Sequence, residues 1–205
     1  AVFFAGRARF AHIPPGGKKF LQELVSPDTR STIVRLIPLF LCVAMFWALF
    51  DQSGSAWVLQ AERMNRHWLG IEWESSQIQA VNPLLVMVMV PLSTYVVYPL
   101  VNRLWQFTLL RRASVGMYIA AASFCVVAWI EHMIAAGAKP SIGWQIVAYI
   151  IITAAEILIS VTCLEFAYTQ APRTMKSLIM GLYLLSVSLG NTFTAVVNKF
   201  VEITG

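Results

Sequence analysis

The side chain in this sequence most able to do chemistry is Glu165, in the stretch Ile157 to Ser177 (ILISVTCLEFAYTQAPRTMKS). Eight apolar or small residues precede it, and the run stops at Pro172. A carboxylate there reads as an acid held inside a membrane-spanning helix, where insertion costs about 2.5–3.5 kcal/mol. Two kinds of partner offset such a cost: a cation carried by a solute, or a basic side chain in a permanent ion pair. At ~100° per residue, Thr169 lies one turn on and on nearly the same face, although a helix-interior threonine often bonds only its own backbone. Glu156 stands nine residues earlier. Its ~900° of turn places it on the opposite face, so it is expected to contact a neighbouring helix and lies outside the site.

The elements that must hold Glu165 follow from composition. Hydrophobic residues make up 58% of the chain and charged ones 12%, which excludes an ordinary soluble domain. The predicted fold class is an all-α membrane protein with five transmembrane spans, at about 36–60, 78–101, 113–136, 143–170 and 175–201. Residues 1–35 read as a basic connector, since Pro14-Pro15-Gly16-Gly17 cannot continue a helix. Beside a span, its basic residues read as a cytoplasmic anchor and not as a nucleic-acid surface. Cys42, Cys125 and Cys163 lie in apolar runs without C-x-x-C spacing and read as small hydrophobes.

The first span poses a length problem. Its unbroken apolar part, Leu36 to Phe50, covers only ~22 Å, against the ~30 Å of a bilayer core. The helix is therefore expected to continue through Asp51-Gln52-Ser53-Gly54-Ser55 towards Gln60, taking those polar groups into the membrane. The alternative leaves Asp51 at a membrane edge. Five alternating spans put eleven of the 15 Lys and Arg on one side: Arg7, Arg9, Lys18, Lys19, Arg30, Arg35, Arg103, Arg111, Arg112, Arg173 and Lys176. Arg63, Arg66, Lys139 and Lys199 fall on the other. The start of the chain is accordingly expected in the cytoplasm, across a plasma or inner membrane.

Two stretches carry a family resemblance. Glu165-Phe166-Ala167-Tyr168-Thr169-Gln170-Ala171-Pro172, with Met175-Lys176-Ser177 and Gly190-Asn191, resembles a signature of the proton-dependent oligopeptide transporters of the major facilitator superfamily. Phe46-Trp47-Ala48-Leu49-Phe50-Asp51-Gln52, with Gly54, Trp57, Gln60-Ala61 and Met64, resembles that family's seventh helix. The resemblance implies helices seven to eleven of a twelve-helix fold, in a piece of a longer protein. It implies di- and tripeptide substrates, proton-driven symport and no cofactor. Its partners would be the bilayer, protons and an N-terminal half that supplies the proton-coupling residues.

For the site, the resemblance implies that Glu165 holds the peptide's amino terminus. Thr169 stands where the family has serine; Asn82 would reach the peptide, and Gln52 and Trp57 would line the cavity. Simpler roles stay open: Asn82 satisfying carbonyls loosened by Pro83, and Trp57 as an interfacial belt residue. Ser53, Cys163 and Tyr183 depart from the family pattern. A related carrier for nitrate or another small solute is the nearest alternative, and a carboxylate at Glu165 argues against an anion. A non-transporting membrane scaffold is a second. An intramembrane enzyme is not expected: His12, His67 and His132 lie outside the spans or at their ends, with no H-E-x-x-H or G-x-G-D motif.

Overall fold

The computed structural model describes residues 25–171 and 175–204. Residues 1–24 of the expected connector, and Pro172 to Thr174, lie outside the described residues. Helix α1 (Pro27–Phe50) starts well before residue 36, inside the stretch read as connector. Ser26 explains the early start: it is extended, its side chain accepts from the Thr29 amide at 3.3 Å, and Pro27 occupies the first turn. Ser-Pro-Asp is a helix-start signal, and it outweighs the polarity of the residues after it.

The chain does not run on as one helix past Phe50. A 3₁₀ turn occupies Asp51–Gly54, Ser55 breaks the backbone at φ −124°, ψ −83°, and α2 (Ala56–Glu62) restarts the span. A short hairpin, β1 (His67–Trp68) and β2 (Ile71–Glu72), turns through Leu69 at φ 54° and Gly70 at φ 76°. A 3₁₀ segment, Ser75–Ala80, leads into α3 (Val81–Leu92), a π turn at Ser93–Val97 and α4 (Tyr98–Leu104). Pro91 supplies no amide inside α3, and just beyond it the Thr94 hydroxyl back-bonds to the Val90 carbonyl of its own helix at 2.9 Å. The remaining helices are α5 (Leu109–Ala135), α6 (Gly143–Glu156), α7 (Thr162–Gln170) and α8 (Lys176–Thr204). A π turn at Ile157–Val161 joins α6 to α7.

Among the described residues, five helical stretches are long and apolar enough to cross a membrane: Thr29–Glu62, Ser75–Leu104, Leu109–Ala135, Gly143–Gln170 and Lys176–Phe200. They alternate in direction. Thr29, Leu104, Leu109, Gln170 and Lys176 mark what we call the lower end, and Glu62, Ser75, Ala135, Gly143 and Phe200 the upper end. The first span packs chiefly on the fifth, the third on the fourth, and the second on the fourth. None of the most apolar window of the second span is buried, so it forms an edge of the bundle.

Two glycines explain how closely the pairs approach. A Cβ at Gly190 would collide with the Ala44 carbonyl oxygen and lie 3.1 Å from the Ala48 amide nitrogen. One at Gly116 would meet Ile159 Cγ1 at 2.6 Å. Around these contacts the core is filled by Val43, Phe46, Trp57, Tyr149, Ile152 and Ile179.

Candidate functional site

A helix broken inside a membrane frees backbone carbonyls that no water can satisfy, so protein groups must do it. At the break of the first span, three neighbouring spans contribute. The Thr194 hydroxyl of the fifth span donates to the Ala48 carbonyl at 2.7 Å. Tyr149 of the fourth donates to the Ser53 carbonyl at 2.7 Å, and Gln79 of the second to the Gly54 carbonyl at 2.9 Å. Ser55 donates back to the Asp51 carbonyl at 3.2 Å. Gly54 leaves the room this needs, since a Cβ there would lie 3.2 Å from Gln79 Nε2.

Beside the break opens a cleft of about 210 Å³ lined by Phe50, Asp51, Ser53, Gly54, Gln79, Asn82 and Tyr149. The Asp51 carboxylate is half-buried and takes no hydrogen bond or ion pair among the described residues. Asn82 Nδ2 donates to Thr153 Oγ1 and to Glu156 Oε2, both at 3.0 Å. Asn82 therefore joins the second span to the fourth through Glu156, the carboxylate that face counting along the helix excludes from the site. Glu156 sits about 20 Å from either end of the fourth span, at its middle.

The other nominated residues fall elsewhere. Gln52 points away from the cleft and donates to Asn198 Oδ1 on the fifth span at 3.2 Å. Trp57 is 1% exposed, edge-on to Phe124 and Tyr149 with ring centroids at 5.6 and 5.1 Å. It is a core residue here, neither a cavity wall nor a membrane-belt side chain. Glu165 is exposed, about five residues above the lower end, with no hydrogen bond or salt bridge among the described residues. It lies within electrostatic reach of Tyr98, whose ring carries the Arg112 guanidinium 4.3 Å above it. Thr169 donates to the Phe166 carbonyl at 2.9 Å, its own helix backbone.

The π turn at Ile157–Val161 corrects the face arithmetic. One extra residue in a turn takes back ~100° of rotation, so Glu156 and Glu165 stand ~80° apart around the axis instead of ~180°. They remain separated along the helix by about 12 Å. Tyr183 of the fifth span secures the turn by donating to the Ser160 carbonyl at 3.1 Å. Asp51 and Glu156 are the candidates that sequence reasoning misses. Each is an intramembrane carboxylate beside a helix irregularity, and that combination is the available signal.

A family model described as PTR2, POT family, matches residues 18–204. The chain belongs to the POT family. Over 115 residues it is 42% identical to solute carrier family 15 member 1 of Mus musculus, a match covering 56% of this chain and 16% of that protein. It is similar to a crystal structure of an auto-inhibited POT family peptide transporter, with 38% identity and a TM-score of 0.79. That match covers 85% of this chain and 34% of the transporter. A variant POT peptide transporter crystallised in complex with alafosfalin matches at 26% identity and a TM-score of 0.75, over 89% of this chain and 38% of that one. The chain spans about a third of these solved POT transporters, and its five spans make it part of a multi-pass membrane protein.

Proposed function

We propose that the chain is the C-terminal part of a proton-coupled di- and tripeptide symporter, its spans standing as helices seven to eleven of twelve. The observation that carries this reading is Glu156, a mid-span carboxylate whose partner Asn82 lines the cleft at the broken first span. A peptide leaving water brings an ammonium group. A carboxylate with only neutral partners, in surroundings of low dielectric, binds that charge far more strongly than it would in water. Glu156 fits this task better than Glu165, because carriers of this architecture bind at the bilayer midplane. Glu165, near the lower end, is a second acid on the way in or out.

Asp51 has no fixed cation among the described residues either, and it faces the cleft. It is placed to exchange a proton there while the peptide is bound or absent, and so to bias a rocking motion between two halves. The N-terminal half supplies the partner for the peptide's carboxylate. Among the described residues, Arg30, Arg35, Arg103, Arg111, Arg112 and Lys176 belong to the lower end. We place that end in the cytoplasm.

The test uses the full-length transporter in vesicles under an inward proton gradient. Wild-type protein takes up labelled dialanine until the gradient is dissipated. Glu156→Gln lowers uptake by about tenfold or more at equal folded protein, the scale of one charge-assisted contact. Nitrate uptake in place of dialanine uptake contradicts the reading.

A further inference from the structure

Three residues of the fifth span, Gly190, Thr194 and Asn198, recur every fourth position and so share one face. All three meet the first span. Gly190 lets the backbones touch, Thr194 caps the Ala48 carbonyl, and Asn198 reaches the 3₁₀ turn. Asn198 differs from the other two in bonding side chains only. Its Oδ1 accepts from Gln52 Nε2 at 3.2 Å, and its Nδ2 donates to Ser55 Oγ at 3.4 Å. Ser55 in turn is 3.5 Å from Gln52 Oε1, closing a ring of three polar side chains.

This ring grips the turn from the side away from the cleft. The opposite side is held by Tyr149 on the Ser53 carbonyl and Gln79 on the Gly54 carbonyl. In a 3₁₀ turn, successive side chains point ~120° apart, so the tether on Gln52 fixes the rotation that aims Asp51. We propose that Asn198 is a positioning residue: by holding Gln52 and Ser55 it sets the Asp51–Gly54 turn, and with it the direction of the Asp51 carboxylate into the cleft. The proposal rests on the symporter reading. Helix packing does not need the ring, because Gly190 and Thr194 already join the two spans.

The other titratable groups around the turn are few. Tyr149 of the fourth span is committed to the Ser53 carbonyl. Glu156 reaches the cleft through Asn82, and Lys199 of the fifth span is exposed. Of the acids around the turn, Asp51 is the one whose direction the Asn198 tether sets.

The test compares proton-driven dialanine uptake with dialanine counterflow, which needs no gradient, in full-length protein. Asn198→Ala lowers driven uptake roughly fivefold, the factor of one net hydrogen bond, and leaves counterflow within about twofold. The pH of half-maximal uptake moves with it. Exchanging the pair, Gln52→Asn with Asn198→Gln, keeps every donor and acceptor and restores the wild-type profile. Thr194→Val lowers thermal stability without moving that profile. Should Asn198→Ala fail to fold, Asn198→Ser, too short for Gln52, replaces it with the same expectation. An unchanged pH profile in the Asn198 variant, or no recovery in the exchanged pair, overturns the positioning role alone. A wild type without proton-driven dialanine uptake overturns the symporter reading and this role with it.

Discussion

Asn82 Nδ2 donates to Glu156 Oε2 at 3.0 Å and ties the second span to the fourth. Removing the amide leaves a half-buried carboxylate without that donor, a loss worth about 1–3 kcal/mol. Asn82→Leu is therefore expected to lower thermal stability by that amount. Glu156→Leu in the same protein recovers most of it, because the orphaned charge is gone; thermal unfolding of the two single variants and the double measures the coupling. Thr169 gives the opposite expectation. Among the described residues its hydroxyl serves the Phe166 carbonyl alone, so Thr169→Val changes stability by less than about 0.5 kcal/mol and dialanine uptake by less than about twofold. A large loss of uptake with stability unchanged would instead mark Thr169 as a substrate contact.

At the level of the elements, the fifth span rests on the first through a glycine that cannot gain a side chain. Gly190→Ala drives a methyl into the Ala44 carbonyl and is expected to cost about 1–3 kcal/mol. Gly181 supplies the contrast, because a methyl added there would meet nothing within 4 Å. Gly181→Ala is accordingly neutral or gains up to about 1 kcal/mol from helix propensity. Paired thermal melts of the two variants decide the matter. The number and order of the spans are legible in the sequence, because apolar runs of membrane length leave little choice. The irregular turns are not. Asp51–Gly54 and Ile157–Val161 owe their shape to Tyr149, Gln79 and Tyr183, each donated from a distant part of the chain. Periodicity counted along one helix cannot see such partners. For that reason face counting puts Glu156 on the wrong side of its helix relative to Glu165. Trp57, expected at the cavity or the membrane belt, fills the core for a similar reason: its partners Phe124 and Tyr149 come from other spans.

On the scale of the whole molecule, the five spans leave one edge open. The second span shows its apolar side chains outward, among them Leu84, Met87 and Val88, at 63, 75 and 65% exposure. The Glu156–Asn82 contact and the Asp51 cleft belong to this part of the bundle, between the second, first and fourth spans. Near mid-depth the bundle places two acids without a basic partner among the described residues: Glu156, which accepts from Asn82, and Asp51 at the cleft. Its bidentate ion pair, Arg63 with Glu131, lies at the upper end instead. On the symporter reading proposed above, these acids serve the mobile charges of peptide and proton. The most direct measurement is binding of dialanine and of N-acetyl-dialanine to the full-length transporter, in wild type, Glu156→Gln and Glu165→Gln. Wild type and Glu165→Gln are expected to favour the free amine by about tenfold or more, and Glu156→Gln to lose this preference. A Glu156→Gln protein that still discriminates between the two ligands would contradict the peptide-binding role of Glu156.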